Sequence, residues 1–162
     1  MNREVYTTLP TPLGEMVAAA AGGALAGLWF QGQKHIPSTA SLRFDPGCAV
    51  FLHLREWLER YFAGENPAYP LPLKIEGSAF QKAVWQALQK IPSGGTATYG
   101  EISRALGVRC PRAVGGAAGR NPIAIIIPCH RVIGARGALT GYAGGLEKKI
   151  FLLELEKTRR VP

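Results

Sequence analysis

Cysteine is scarce in this chain, with three in 162 residues, at positions 48, 110 and 129. A low and odd count argues against a disulfide framework. The cysteines and the histidines at 35, 53 and 130 show no C-x-x-C or H-x-x-x-H spacing, so no metal site is expected. No apolar run approaches the roughly 20 residues of a membrane helix. The opening MNREVYTTLP has acidic and polar residues where a secretory leader would have an apolar stretch. A reducing cytoplasm is therefore the expected location, with no membrane partner. The glycine-rich stretch GALTGYAGG, residues 137–145, is not followed by GK[ST], which excludes a P-loop. Acid is scarce too, but only in the second half. Residues 1–77 hold 6 Lys and Arg against 7 Asp and Glu, a net −1; residues 78–162 hold 13 against 4, a net +9. Such asymmetry fits a polyanion-binding half, or a basic surface kept for solubility.

What is present reads as an α+β chain with two units, residues 1–74 and 75–162. Val5 to Leu9 is extended and PTPLG is a turn. Met16–Ala20 and Ala24–Phe30 flank Gly22-Gly23, a hairpin signal. Residues 31–47 read as loop. Val50, Leu54, Trp57, Leu58 and Tyr61 follow the i, i+4, i+7, i+8 spacing of an amphipathic helix, which Gly64 stops. NPAYPLPLKIEG reads as a linker ending in a short extended piece. In the second unit, Ser78 to Gln81 and Thr98 to Glu101 are two capping boxes, each starting a helix. Phe80, Val84, Trp85 and Leu88 line one face of the first. The second, short helix ends near Leu106. After the Gly107-Val108 turn, Pro111 suits the first position of a further helix running towards Gly119. Helix, tight turn, helix is the form of a helix-turn-helix. Its second helix contains RAVGGAAG, and internal glycines cost about 1 kcal/mol each against alanine. They let a backbone approach another surface, either nucleic acid near Arg109, Arg112 and Arg120 or a neighbouring helix. A last helix spans Leu146 to Lys157, with Ile150, Phe151 and Leu153 facing inward.

The chemistry concentrates at IIIPCHRVIG, residues 125–134. Most cysteines are small buried hydrophobes, and Cys48 and Cys110 fit that description. Cys129 follows an apolar run, read as a strand that Pro128 ends. It is adjacent to His130 and Arg131, and cationic neighbours lower a thiol pKa. Neighbouring strand side chains diverge, so His130 reaches Cys129 only if the backbone turns, or through a water. Glu154 or Glu156 could orient the imidazole. A cysteine protease or glutaminase needs a separate histidine, and His35 and His53 both lie in the acidic half.

Ile127-Pro128-Cys129-His130-Arg131-Val132 resembles the active-site motif of the O6-alkylguanine-DNA alkyltransferases. Phe80-Gln81…Val84-Trp85, Thr98-Tyr99-Gly100-Glu101-Ile102, Arg112-Ala113-Val114-Gly115, Asn121-Pro122 and Leu139-Thr140-Gly141-Tyr142…Gly144-Gly145-Leu146 match family motifs in the same order. The likeness is close over residues 78–157 and looser before them. The length is similar to that of the short bacterial form, without the zinc-binding module of the adaptive-response version. The resemblance implies an N-terminal antiparallel sheet with a helix, ribonuclease H-like, and a helical C-terminal domain with a winged-helix-like helix-turn-helix. It implies direct-reversal repair: irreversible, stoichiometric transfer of the alkyl group of O6-alkylguanine, and also of O4-alkylthymine, to the protein's own cysteine after base flipping.

By this resemblance Cys129 is the nucleophile, His130 takes its proton through a water, and Glu156 rather than Glu154 orients the imidazole. Asn121 pins the turn holding the cysteine loop. Tyr99 contacts guanine N3 and its 3′ phosphate. The backbone N–H of Ala143, with the carbonyls of Cys129 and Val132, reads the guanine edge. Arg112 is the finger that fills the vacated stack. Arg112, Ala113, Gly115, Gly116, Ala117 and Arg120 meet DNA, on a helix lying in the minor groove. The partner is double-stranded DNA with an alkylated guanine, no cofactor or metal is required, and the protein acts as a monomer, cooperatively on DNA. Ala143 stands where some relatives have serine, and Ala124 where some have a proline that packs on benzyl groups. Slower reaction with free O6-benzylguanine than with methylated DNA is therefore expected, and comparable second-order rates would refute it. Two alternatives remain: a damage-sensing relative that lacks the cysteine, and a plain helix-turn-helix regulator, which leaves Pro-Cys-His-Arg without a purpose.

Overall fold

The computed structural model describes residues 3–158; Met1, Asn2 and the basic Arg159 and Arg160 lie outside it. Strands β1 (Val5–Leu9), β2 (Met16–Ala21) and β3 (Ala24–Phe30) form an antiparallel meander, and β4 (Arg43–Phe44) adds to β1 in parallel, giving the order β3-β2-β1-β4. The β2–β3 turn uses Gly22 and Gly23, with φ of 56° and 78°. Two positive φ values in a two-residue loop match the right-handed twist of the strands it joins. The sheet is thus mixed, not purely antiparallel, and residues 31–47 are not all loop. Ile36 and Leu42 of that segment pack on Val17, Ala19 and Trp29, so its few apolar side chains cover one sheet face.

The other face receives α1 (Ala49–Phe62). The expected stripe of Val50, Leu54, Trp57, Leu58 and Tyr61 is buried, and Phe51 joins it. Gly64, at φ 96°, ends the helix with its N–H on the Tyr61 carbonyl. Both faces being covered explains why every residue of β2 is buried.

The second half begins with α2 (Ala79–Gln89) and α3 (Tyr99–Ala105), each opened by its predicted capping box. Helix α4 (Pro111–Gly119) follows, with proline in its first turn. Trp85 Nε1 donates to the Ala117 carbonyl at 2.9 Å, tying α4 to α2. Short parallel strands β5 (Ala97–Thr98) and β6 (Val132–Ile133) join the start of α3 to the chain leaving Cys129. Helix α5 (Leu146–Lys157) closes the fold. Its buried residues are Lys149, Leu152, Leu153 and Glu156, while Ile150 and Phe151 are 43% and 40% exposed. The inward stripe is i, i+3, i+4, i+7 with polar residues at both ends, so counting apolar residues alone puts the helix in the wrong phase.

The free edge of β3 receives chain from the second half. Leu28 exchanges backbone bonds with the 122–124 segment, donating to Pro122 and accepting from Ala124, each at 2.9 Å. Leu25 does the same with Pro72 and Lys74. One continuous buried cluster runs from Val5 through Tyr61, Trp85 and Ile127 to Leu152. The segment leading to the cysteine is therefore docked on the N-terminal sheet.

Candidate active site

The apolar run before Cys129 is not a strand. Residues 124–127 form a turn in which Ile125 has φ 70°. A β-branched residue in the left-handed region is strained. Asn121 fixes the turn: its Oδ1 accepts from Ile123 N–H at 2.9 Å, and its Nδ2 donates to the Ile127 carbonyl at 2.7 Å and the Cys129 sulfur at 3.1 Å. Pro128 then leads into a single 3-10 turn, Cys129–Arg131. The proline ends no ladder; it shapes a loop that pushes the thiol towards a pocket. The Cys129 carbonyl accepts the Val132 N–H, which leaves one lone pair for a substrate.

The pocket has a volume of about 390 Å³, within the range of small-molecule sites. Cys129 and Tyr99 line it, with Gly115, Ala118 and Gly119 of α4 and Thr140 to Ala143 of the glycine-rich loop. Ala124 is buried and is not among the lining residues. Lys34 and His35 also line the pocket. Nothing in their local sequence pointed there; they follow β3, whose Phe30 packs edge-on against Tyr142 of the pocket loop.

The glycine-rich loop is fastened from beneath. Lys149 Nζ donates to the Thr140 carbonyl at 2.9 Å and to that of Gly141 at 3.4 Å. A side chain on Gly144 would come within 2.7 Å of the Phe30 ring, so only glycine lets the loop close over β3. Burial lowers the Lys149 pKa, yet its charge still acts on the thiol.

Four donors converge on Glu156. Arg131 Nε reaches Oε1 at 2.8 Å; Oε2 accepts from Tyr61 Oη at 2.6 Å, His130 Nε2 at 2.7 Å and Arg131 at 3.0 Å. Burial raises the Glu156 pKa, but the His130 and Arg131 hydrogen bonds and charges prevail and hold it well below the usual carboxylate range. Burial pushes the His130 pKa below its ordinary value, against the pull of Glu156. An ionised carboxylate only accepts, so a neutral His130 carries its proton on Nε2 and leaves Nδ1 bare. Among the described residues that Nδ1 has no hydrogen-bond partner, which leaves a base next to the nucleophile in the chain.

Burial pushes the Cys129 thiol up, and the Asn121 N–H and the Lys149 charge only partly oppose it. The expected lowering by adjacent cations does not occur, because Arg131 turns away to Glu156 and to the Ile91 carbonyl. The resting nucleophile is a thiol that needs a base. Tyr142 was quoted in a motif without a role. Burial raises its pKa well above the ordinary value, and it interacts electrostatically with Cys129, although its hydroxyl has no partner of hydrogen-bond geometry. Its signal was there, since an aromatic inside a glycine-rich loop must pack on something.

On α4, Arg112, Ala113, Gly116 and Arg120 are exposed, while Val114, Ala117 and Ala118 are buried. Ala117 thus belongs to the inner face of the helix. A side chain on Gly115 would make ordinary contact with the Tyr99 ring at 3.6 Å, and one on Gly116 or Gly119 would meet nothing. Packing within the chain therefore does not require these glycines; Gly115 and Gly119 line the pocket, and Gly116 lies on the exposed face.

The sequence model of the family described as 6-O-methylguanine DNA methyltransferase, DNA binding domain, matches residues 79–158. A methylated-DNA–protein-cysteine methyltransferase of Mycobacterium tuberculosis is 47% identical over 155 residues, covering 95% of this chain and 93% of that protein. The protein of that name from Haemophilus influenzae is 46% identical, with 97% and 88% covered. The crystal structure of Mycobacterium tuberculosis OGT in complex with DNA superposes with a TM-score of 0.89 at 46% identity, covering 96% of this chain and 94% of that one. An O6-methylguanine DNA methyltransferase from Methanococcus jannaschii gives 0.70 at 28%, covering 96% and 95%.

Proposed function

Because the chain belongs to the family of methylated-DNA–protein-cysteine methyltransferases, we propose how its own residues carry out the family's reaction. It is a direct-reversal DNA repair protein, taking alkyl groups from O6-alkylguanine in DNA. The single observation that carries the residue assignment is the buried Cys129 at the pocket, with Asn121 Nδ2 at 3.1 Å from its sulfur and the His130–Glu156 pair behind it.

The reacting carbon lies inside the duplex, so the alkylated base must leave the stack. Arg112, exposed on the outer face of α4, fills the space it vacates. Ala113, Gly116 and Arg120 share that face, and the missing side chains of Gly115 and Gly116 let the helix sit deep in a minor groove about 6 Å wide. The flipped guanine enters the pocket against Tyr99, with the Ala143 N–H and the Cys129 and Val132 carbonyls at its edge. The Cys129 proton passes through a water to His130 Nδ1, and Glu156 holds the resulting imidazolium. The sulfur attacks the alkyl carbon in line. A C–S bond forms as the C–O bond breaks, and the oxygen keeps the electron pair. Tyr99 gives its proton to N3, so guanine leaves neutral, and the tyrosinate recovers a proton from the His130 imidazolium through solvent. No group in the chain reverses a thioether, so each molecule acts once and needs no cofactor. We assign DNA contact and alkyl acceptance to residues 75–162, and assign to 1–74 the sheet that seats the cysteine loop. A cytoplasmic monomer, cooperative on DNA, fits this reading.

The test is intact-protein mass after mixing with a duplex carrying one O6-methylguanine. A gain of one methylene, mapping to the peptide with Cys129, is expected; tight binding with no gain would refute the assignment. Arg112→Ala should slow transfer from duplex on the order of tenfold or more, since a few kcal/mol of unstacking goes uncompensated. Transfer from a single-stranded oligonucleotide should change little. Equal losses on both substrates would put Arg112 in general phosphate binding instead.

A further inference from the structure

Helix α1 has no part in the reaction as described, yet it sends one polar group into the site. Tyr61 is 1% exposed, and its hydroxyl donates to Glu156 Oε2 at 2.6 Å across 95 positions of sequence. Trp57 stacks on its ring at 5.3 Å, and Trp57 is itself fixed by a 2.9 Å bond from Nε1 to the Pro67 carbonyl. A core tyrosine at this point of the α1 stripe could have been phenylalanine. The hydroxyl is buried, aimed at a carboxylate and held from behind.

We propose that Tyr61 is a positioning residue for alkyl transfer, acting through Glu156 to set how strongly that carboxylate pulls on His130. The proposal rests on the reading of His130 as the base. A carboxylate offers about four lone-pair sites. Tyr61, His130 and one nitrogen of Arg131 crowd onto Oε2, while the other Arg131 nitrogen takes Oε1. An oxygen shared by three donors has less charge to offer each of them than one that serves His130 alone. Tyr61 and Arg131 thus keep Glu156 ionised and keep its pull on the imidazole moderate. That suits a base that must be neutral before reaction and cationic during it. Too strong a carboxylate would leave His130 protonated and unable to accept the thiol proton.

The charged and titratable groups around this pair come from several elements. Tyr61 comes from α1, Cys129 and Arg131 from the 3-10 turn, Tyr142 from the glycine-rich loop and Lys149 from α5. Arg131 and Lys149 oppose protonation of His130 and Glu156 favours it. Tyr61 is the neutral member whose hydroxyl can be removed without adding or deleting a charge.

The experiment follows the His130 ring by nitrogen-resolved NMR titration of the full-length protein, without DNA, in wild type, Tyr61→Phe and Trp57→Phe. Tyr61→Phe should raise the His130 titration midpoint, while Trp57→Phe, which disturbs the packing but spares the hydroxyl, should leave it in place. Replacing Tyr61 with 3-fluorotyrosine, a stronger donor of nearly the same shape, should lower it, and decides the matter if Tyr61→Phe fails to fold. An unmoved midpoint in the folded Tyr61 variants, or equal movement in Trp57→Phe, overturns the proposal. In parallel, the transfer rate from an O6-methylguanine duplex is measured against pH. The rate of Tyr61→Phe should begin to fall at a higher pH than that of wild type, with a loss on the order of tenfold where His130 has become protonated. If the wild-type rate ignores the His130 titration, the base assignment fails, and the NMR result still decides whether Tyr61 tunes the ring.

Discussion

Cys129→Ser should take up no alkyl group from methylated duplex, and its mass should stay unchanged while DNA binding persists. Serine preserves the size of the site and still offers an oxygen to Asn121 Nδ2, which donates to the sulfur at 3.1 Å in the parent. It does not preserve the chemistry. A hydroxyl is a far weaker nucleophile than a thiolate at a saturated carbon and ionises many units higher, beyond what a neutral imidazole can remove. The α4 face with Arg112, Gly116 and Arg120 is untouched, so affinity and its dependence on salt should match the parent. The variant becomes a binder of the lesion that cannot finish the reaction. A mass gain in Cys129→Ser would move the acceptor elsewhere, first of all to Cys110, which is exposed beside Arg109 and Arg112.

Glu156→Gln should affect both reaction and fold. Without the carboxylate charge, the imidazolium formed on His130 loses its stabilisation, and an amide, which can also donate, fixes the ring tautomer less firmly. A positioned general base contributes about 10²- to 10⁴-fold, so a loss of at least about a hundredfold in transfer rate is expected. The Arg131 side chain is only 11% exposed and Glu156 is its ion-pair partner. Removing one member of such a pair costs about 3 to 5 kcal/mol, and the retained amide places the expected loss near the lower end. The pH dependence gives a further check. The folded-state pKa of Glu156 is depressed, so its contribution is complete above the ordinary carboxylate range and drains away as pH falls through the folded value. His130 is depressed as well, so acidification through the ordinary histidine range also weakens the fold. In urea titrations the gap between parent and Glu156→Gln should therefore be wide near neutral pH and close on the acid side of the carboxylate range. A constant gap would mean that Glu156 contributes packing and not charge.

Much of this was legible from local rules. The two capping boxes, the Gly22-Gly23 turn and the α1 stripe specify themselves through neighbours a few positions away, and each forms as read. Cys129, His130 and Asn121 lie within ten residues, and their ordered motif carried the family. The misses share another cause. Ile125 to Ile127 has strand composition, but Asn121 and the β3 edge bend it into a turn. Lys149 is a polar residue on the inward stripe of α5, so an apolar count passes over it. Tyr61, Lys34 and His35 come to the site from the first half by tertiary packing, and no spacing near them reports the thiol. The mixed sheet rests on the two-residue β4, too short to give a periodic signal.

The docking of the 122–124 segment on β3 also has a consequence in time. Leu28 and Ile123 lie as far apart in sequence as Tyr61 and Glu156, 95 positions. Closing a loop of that length costs about 4 kcal/mol of chain entropy in its length-dependent part, before any contact within it repays the cost. The capped helices can nucleate early and locally, but the cysteine turn must wait for the sheet edge, and Glu156 follows His130 by 26 positions. During synthesis at about 5–20 residues per second, the nascent protein can display a nearly complete α4 face while His130 still lacks the Glu156 carboxylate. The capacity to bind DNA and the capacity to be consumed are thus acquired in that order.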